Sequence, residues 1–290
     1  MPDRPRACDV KMPYPSPTTA LDDLSLAFLD VETTGLSPRY GDRVCEIAIV
    51  QSHLDLVQAT FSSLVNPERP ISPGASAING LRDEDVRDAP RFAQVADTVL
   101  AALSERAVVC HNAPFDLTFV AAEMRRIAYP FHPPIVLDTL QLARRCYNFA
   151  SNSLPHVAAA LSIPAPNAHR ALGDAMTTRA VYDRFIENLW TRGVRTLGDL
   201  MNTQGGAIEW IVEEVPLPPL VAEALSTKRR LFLKYVDAQG EVSERWVTVQ
   251  QVSGFGETLS LVAFCHLRKE TRQFRLDRVV EMRIEESNEF

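Results

Sequence analysis

The sequence predicts an α/β protein, a mixed sheet flanked by helices, followed by a smaller unit of short strands. Three observations predict it. Strand-length apolar runs at hairpin spacing fill residues 26–65. From about residue 91 to 190, short apolar runs alternate with segments whose apolar residues recur at helical spacing. Beyond Leu225 only short strand-like runs and turns follow. Hairpins followed by alternation give a mixed sheet with helices on its faces. Regular short strands over the last stretch of about 65 residues give a small β-barrel.

Taken in order, residues 1–22 are Pro-rich and are expected to form a disordered tail, with the first domain spanning 23–190. Leu26–Leu29 is a core strand that stops at Asp30 and Glu32, and Thr33-Thr34-Gly35 turns the chain away. Arg43–Val50 and Leu56–Val65 read as the second and third strands, with Gly41 and Asp55 in the links. Asn66–Gly74 reads as Pro-rich loop, Asp83–Val86 as a turn of helix, and Arg91–Leu103 as a helix with Phe92, Val95, Val99 and Leu103 on one face. Ala107–Cys110 is a short buried strand ending at His111, and Phe115–Ile127 is helical by spacing. Ile135–Leu137 is a strand that ends in Asp138, with helix following to about Cys146. Ser153 caps a helix through Leu161, with Pro155 in its first turn. A long helix, about Leu172–Trp190, turns Leu172, Met176, Val181, Phe185 and Leu189 inward. Residues 191–219 form a linker with one short helix around Ala207–Val212, and residues 220–290 form the all-β unit.

No apolar run approaches the ~20 residues of a membrane helix, so no membrane partner is expected. The five cysteines are scattered without C-x-x-C spacing. That predicts reduced thiols in a cytoplasmic protein and argues against a disulfide framework or a zinc site. The net charge of −7 is uneven: residues 226–290 hold 11 Lys+Arg against 10 Asp+Glu, and the other residues 19 against 27. An acidic part is expected where carboxylates carry metal ions.

Three clusters put acids and histidines at the ends of elements. Asp30 and Glu32 are two apart on a strand and therefore emerge on one side. The second cluster is His111-Asn-Ala-Pro-Phe-Asp116 and the third His169-Arg-Ala-Leu-Gly-Asp174. Five residues of continuous helix would leave His169 and Asp174 ~140° apart. His169 is therefore predicted on the loop before the helix and Asp174 in its first turns, where the dipole favours a carboxylate. Four carboxylates and one mobile histidine suit two-metal phosphoryl transfer with Mg²⁺ or Mn²⁺, His169 taking the proton from water. Asp138 reads as a helix cap. Trp190, Trp210 and Trp246 read as packing residues, since no basic-aromatic platform surrounds them in sequence.

At these motifs the chain resembles the DEDDh, DnaQ-like 3′–5′ exonucleases, over about residues 23–188. Ile78-Asn-Gly80-Leu, Leu137-Asp-Thr139-Leu and Ser153-Leu154 agree with it. The resemblance implies an RNase H-like fold, with Asp30, Glu32, Asp116 and Asp174 holding two divalent cations and His169 as general base. It implies that Thr33, Thr34 and Gly35 hold the terminal 3′ nucleotide, with His111, Asn112 and Phe115 lining that pocket. The implied reaction releases nucleoside 5′-monophosphates from a 3′ end. DNA, single-stranded above all, is the favoured substrate, and a DNA polymerase or repair protein a conceivable partner. RNA trimming and non-catalytic 3′-end sensing are the alternatives.

Residues 220–287 resemble a WYL domain, which implies a small Sm/SH3-like β-barrel. The resemblance rests on Arg229–Tyr235, Ser243–Val247, Ala263–Arg268 and Arg272–Arg278. The Trp-Tyr-Leu triplet of that family falls here at Leu259-Ser260-Leu261. Arg245, Arg268, Arg272, Arg275 and Arg278 are the implied phosphate or ligand contacts.

Overall fold

The computed structural model describes residues 15–53, 56–131, 133, 135–165, 169–210, 217–237, 239–253 and 259–285. The chain divides into two compact units, Met1–Thr34 with Arg43–Ile211, and Gly35–Asp42 with Val212–Phe290.

The first unit is built on β1 (Ser25–Thr33), flanked by β2 (Val44–His53) and then β3 (Leu56–Leu64) on one side, and by β4 (Ala107–Cys110) and then β5 (Val136–Asp138) on the other. The hairpin strands pair antiparallel, and β4 and β5 run parallel to β1. This is the expected mixed sheet. Both faces of β1 and β2 are buried, which is why they read as unbroken apolar runs. Ala27, Leu29, Ile47 and Ile49 pack against α3 (Phe92–Leu103) and α4 (Ala113–Arg126). Phe28, Ala48 and Val50 pack on the opposite face with α5 (Thr139–Cys146), α6 (Leu154–Ala160), α7 (Ala171–Thr191) and α8 (Leu197–Gln204). Two short helices precede α3 in the chain; in order of sequence they are α1 (Pro73–Asn79) and α2 (Asp83–Val86).

Several expectations are corrected. The predicted loop gives way at Pro73, where a helix, residues 73–79, begins: Ser72 accepts from the Ala75 amide and Pro73 starts the first turn. The predicted helix at Ala207–Val212 is absent over its described residues, Ala207–Trp210, where Ile208 and Trp210 pack on the α4 side of the sheet. The helix of this region is α8, opened by a Thr196–Asp199 capping box and closed by Gly205 at φ 102°. Leu197 and Leu200 are buried, so this stretch folds with the first core. Residues 1–14 of the predicted tail lie outside the described residues. Its end is fixed: Leu21 is buried and its amide donates to the Arg195 carbonyl at 3.0 Å. On α7, Met176 is 42% exposed; the inward stripe runs through Ala171, Ala175, Thr178, Val181, Tyr182, Phe185 and Leu189. Ser153 makes no capping bond to the backbone, its hydroxyl meeting His156 Nδ1 at 2.7 Å.

The second unit is a five-stranded antiparallel sheet of β6 (Arg230–Val236), β7 (Val242–Ser253), β8 (Ser260–Cys265), β9 (Glu270–Arg275) and β10 (Val279–Ile284). The order is β10-β6-β7-β8-β9. Its apolar face, with Leu231, Leu233, Val247, Leu261 and Phe274, is covered by Val221 and Ala224 of α9 (Pro219–Thr227). The edge strands β10 and β9 do not pair with each other among the described residues, so the sheet is open where a closed barrel was expected. No helix among the described residues is long and apolar enough to cross a membrane. Cys45, Cys110, Cys146 and Cys265 are free thiols.

Candidate functional site

β1 outruns its parallel neighbour: the β1–β4 pairing ends at Phe28–Val109, and β4 itself ends at Cys110. The last residues of β1 therefore reach past the sheet on that side. Asp30 and Glu32 share the strand face of Phe28, the face that α7 covers. Asp174 sits in the first turn of α7. Carboxylate oxygens of Asp30, Glu32 and Asp174 lie within 4.8 Å of one another. Asp116 approaches from α4, 3% exposed, and its Oδ1 accepts the Val31 amide at 3.1 Å. That amide lies beyond the end of the β4 ladder, and Asp116 satisfies it. The structure thus gathers the four predicted acids at one end of β1, three of them in a single tight cluster.

Acids this close hold protons against each other. Burial first, then the charges of Asp116, Asp174, Glu32 and Glu46, push the Asp30 carboxyl well above the usual carboxylate range. Burial, with Asp174 and Glu46 behind it, pushes Glu32 up to about 7. Burial likewise raises Asp116 and Asp174. A divalent cation removes this conflict, because it replaces the shared protons with positive charge and prefers hard oxygen ligands. The donor set fits such ions.

His169 lies just before α7, exposed, with a left-handed backbone at φ 64°, and its amide donates to Asp174 Oδ2 at 3.1 Å. The predicted placement of this pair, loop and then first turn, is what the backbone adopts. Thr33 and Thr34 are buried. The Thr34 amide donates to the Arg43 carbonyl at 2.9 Å, its carbonyl accepts from Ser72 at 3.1 Å, and the Thr33 carbonyl accepts from Asn79 at 3.4 Å. Gly35 opens the segment grouped with the second unit.

His111 is engaged at both ring nitrogens. Nε2 lies 2.8 Å from the Asn152 carbonyl, which can only accept, so Nε2 carries the proton. Burial lowers the ring's pKa, and Nδ1 lies 2.9 Å from the Thr139 hydroxyl, which itself donates to the Cys110 carbonyl at 3.2 Å. Asn112 holds the N-cap of α4 at φ 83°, and its amide donates to Asp138 at 3.0 Å. Asp138 also accepts from Ala113 at 3.3 Å and Leu140 at 2.9 Å, capping α4 and α5 together. Phe115 packs 5.0 Å from Phe119 on the α4 side of the core.

The five predicted arginines of the second unit have different partners. The Arg245 guanidinium lies 5.6 Å from the Phe274 ring on the core side, and Arg272 pairs with Glu270 at 3.5 Å. Arg275 forks onto Asp277 at 3.0 and 2.6 Å, Arg268 is exposed on a turn, and Arg278 is half-buried. Trp246 packs on one side only. It is 37% exposed, edge-on to Phe232 at 5.5 Å, with Arg283 4.2 Å over Phe232. The sequence separated these residues, and the antiparallel register places Arg283, Phe232 and Trp246 in one cross-strand row.

One acid of the site was missed entirely. Glu46 on β2 stands directly across from Glu32, 4% exposed, and takes a bidentate bond from Arg170. Counting across the β1–β2 hairpin would have found it, had the register been known.

A mixed sheet with acids at the end of its first strand and at the starts of two helices defines a nuclease class of site. The chain belongs to the exonuclease family, whose model matches residues 27–182, and residues 217–284 match the WYL domain. A DNA polymerase III subunit epsilon-like protein of Rhodobacter capsulatus is 34% identical over 189 residues, covering 63% of this chain and 27% of that protein. The 3′–5′ exonuclease DinG of Staphylococcus haemolyticus is 32% identical over 177 residues, covering 61% of this chain and 20% of that protein. The chain thus spans under a third of the length of either relative. Among solved structures, a zinc-bound complex of E. coli exonuclease I with single-stranded DNA has a TM-score of 0.54 at 18% identity. It covers 83% of this chain and 55% of that one, and shows a shared fold.

Proposed function

We propose that the first unit is a divalent-cation-dependent 3′–5′ exonuclease. It hydrolyses the terminal phosphodiester of DNA, with single strands favoured, and releases nucleoside 5′-monophosphates. The observation that carries this reading is the convergence of the Asp30, Glu32 and Asp174 oxygens within 4.8 Å. The family and the DNA-bound exonuclease neighbour support it.

In this reading Asp30, Glu32, Asp116 and Asp174 hold two ions, Mg²⁺ or Mn²⁺, which when bound supply Lewis-acid charge to the phosphodiester and to the attacking water. Asp116 keeps one oxygen on the Val31 amide and offers the other to the cluster. The exposed loop placement of His169 lets its imidazole reach the water and accept its proton, a contribution of about 10²–10⁴-fold. The turn Thr33–Gly35 at the end of β1 is where the terminal nucleotide would sit, on a backbone whose Thr34 amide and carbonyl and Thr33 carbonyl the fold already holds. His111, Asn112 and Phe115 shape the start of α4 beside it, with His111 held at both ring nitrogens.

The test is degradation of a 5′-labelled single-stranded oligonucleotide in Mg²⁺, compared with Asp30→Ala. A ladder shortening from the 3′ end is expected of the native chain, and none of the variant. Undiminished degradation by the variant would show that the site is elsewhere.

A further inference from the structure

α7 carries Asp174 and follows His169, yet its start has no side-chain cap of its own: Arg170, at the N-cap, makes none. The cap comes from another element. Glu46 on β2 accepts the Ala171 amide at 3.1 Å and, at 3.0 and 2.8 Å, Nε and Nη2 of Arg170. A carboxylate there satisfies an orphan amide and lies at the positive end of the helix dipole. The bidentate fork fixes direction as well as distance.

We propose that Glu46, acting with Arg170, is a positioning residue of the acid centre, capping α7 from β2 so that Asp174 stays in the cluster and His169 stays in its turn. This rests on the exonuclease reading above. Asp174 already accepts the His169 amide at 3.1 Å. Without Glu46, the uncapped amides of α7 compete for that same carboxylate and draw it away from Asp30 and Glu32. The other ligand-bearing helix is held alike. Glu123 of α4 accepts Nε and Nη2 of Arg43 at 2.6 and 2.9 Å and the Val44 amide at 3.2 Å. Both helices are therefore pinned to β2 by a forked arginine and a backbone amide. Displacing a reacting group by ~1 Å can cost ~10²-fold in rate.

The experiment uses the full chain with Glu46→Ala and Glu46→Gln, each alone and combined with His169→Ala. Glu46→Ala is expected to lower kcat on single-stranded DNA by ~10-fold or more with KM within ~2-fold, and Glu46→Gln, which keeps an acceptor for Ala171, by less. Combined with His169→Ala the losses are less than multiplicative. In chelator, amide exchange over residues 169–176 accelerates in Glu46→Ala while residues 25–33 keep the native rate. An unchanged kcat, a multiplicative loss, or equal acceleration of both peptides would overturn the proposal. Should Glu46→Ala not fold, Glu46→Gln decides by the same measurements. If the native chain has no nuclease activity, the exonuclease reading fails, and the exchange pattern still decides what Glu46 holds.

Discussion

Replacing Glu32 with Gln should stabilise the metal-free protein, and only at higher pH. Burial, Asp174 and Glu46 raise the Glu32 carboxyl from 4.5 to about 7. Its folded pKa thus lies above the unfolded one, so the native state binds the proton more tightly. The stability it contributes is fully present below about pH 4.5 and is lost as pH rises through about 7. Above both values the ionised carboxylate costs up to ~3 kcal/mol, at ~1.4 kcal/mol per pH unit. Gln has the same shape and can still accept from Asn79, which bonds Glu32, but it carries no charge. In chelator, Glu32→Gln should therefore exceed the native chain by ~1–3 kcal/mol at pH 8 and match it near pH 4.5. Hydrogen exchange at the buried β1 amides, Phe28 and Leu29, reports the opening of the first unit alone. A gain of the same size at both pH values, or a loss at pH 8, would refute the electrostatic argument.

Four other outcomes follow from the structure. Mn²⁺ binding near pH 6.5 should release protons, because Asp30 and Glu32 titrate high; calorimetry in two buffers of different ionisation heat measures it, and zero release contradicts the raised acids. Asp138→Ala should cost at least ~3 kcal/mol in urea unfolding, since it strands the amides of Asn112, Ala113 and Leu140, and Asp138→Asn should cost less. Phe185→Ala should cost ~3–5 kcal/mol, the ring being buried and stacked 4.4 Å from Tyr147. Met176→Ala on the exposed side of the same helix should fall within ~0.5 kcal/mol.

What the residues disclosed in advance was local. Asp30 and Glu32 were legible because a strand repeats every two residues. His169 and Asp174 were legible because a helix cannot bring residues five apart to one face. Where the determinant was distant, the reading failed. Glu46 meets Arg170 across 124 positions, and no local pattern announces the pair. Met176 fits the helical period as well as Val181 does. Which stripe turns inward is decided by β1, against which Ala175 and Tyr182 pack. Two misreadings were of punctuation. Thr196, Asp199 and Gly205 bound a helix, but the double glycine was weighed as linker. Pro73 starts a helix inside the Pro-rich stretch, residues 66–74, whose composition predicts loop.

The buried acids of the first unit divide by what they face. Asp138 faces three backbone amides, Glu46 an amide and a guanidinium, and Glu123 the same pairing. Each accepts hydrogen bonds from groups the fold must satisfy anyway, so each does structural service. Asp30 and Glu32 face other carboxylates, and burial works against their charge. A chain selected for stability alone would replace them with apolar residues, since removing an unfavourable buried charge at constant shape is neutral or stabilising. Their presence beside acids that are fully satisfied supports the proposal that the end of β1 takes a positively charged ligand. Asp116 stands between the two kinds, with one oxygen given to the Val31 amide. In the proposed site it is the acid whose position the backbone itself fixes, beside a cluster that Asp174 completes only as α7 is brought up and held.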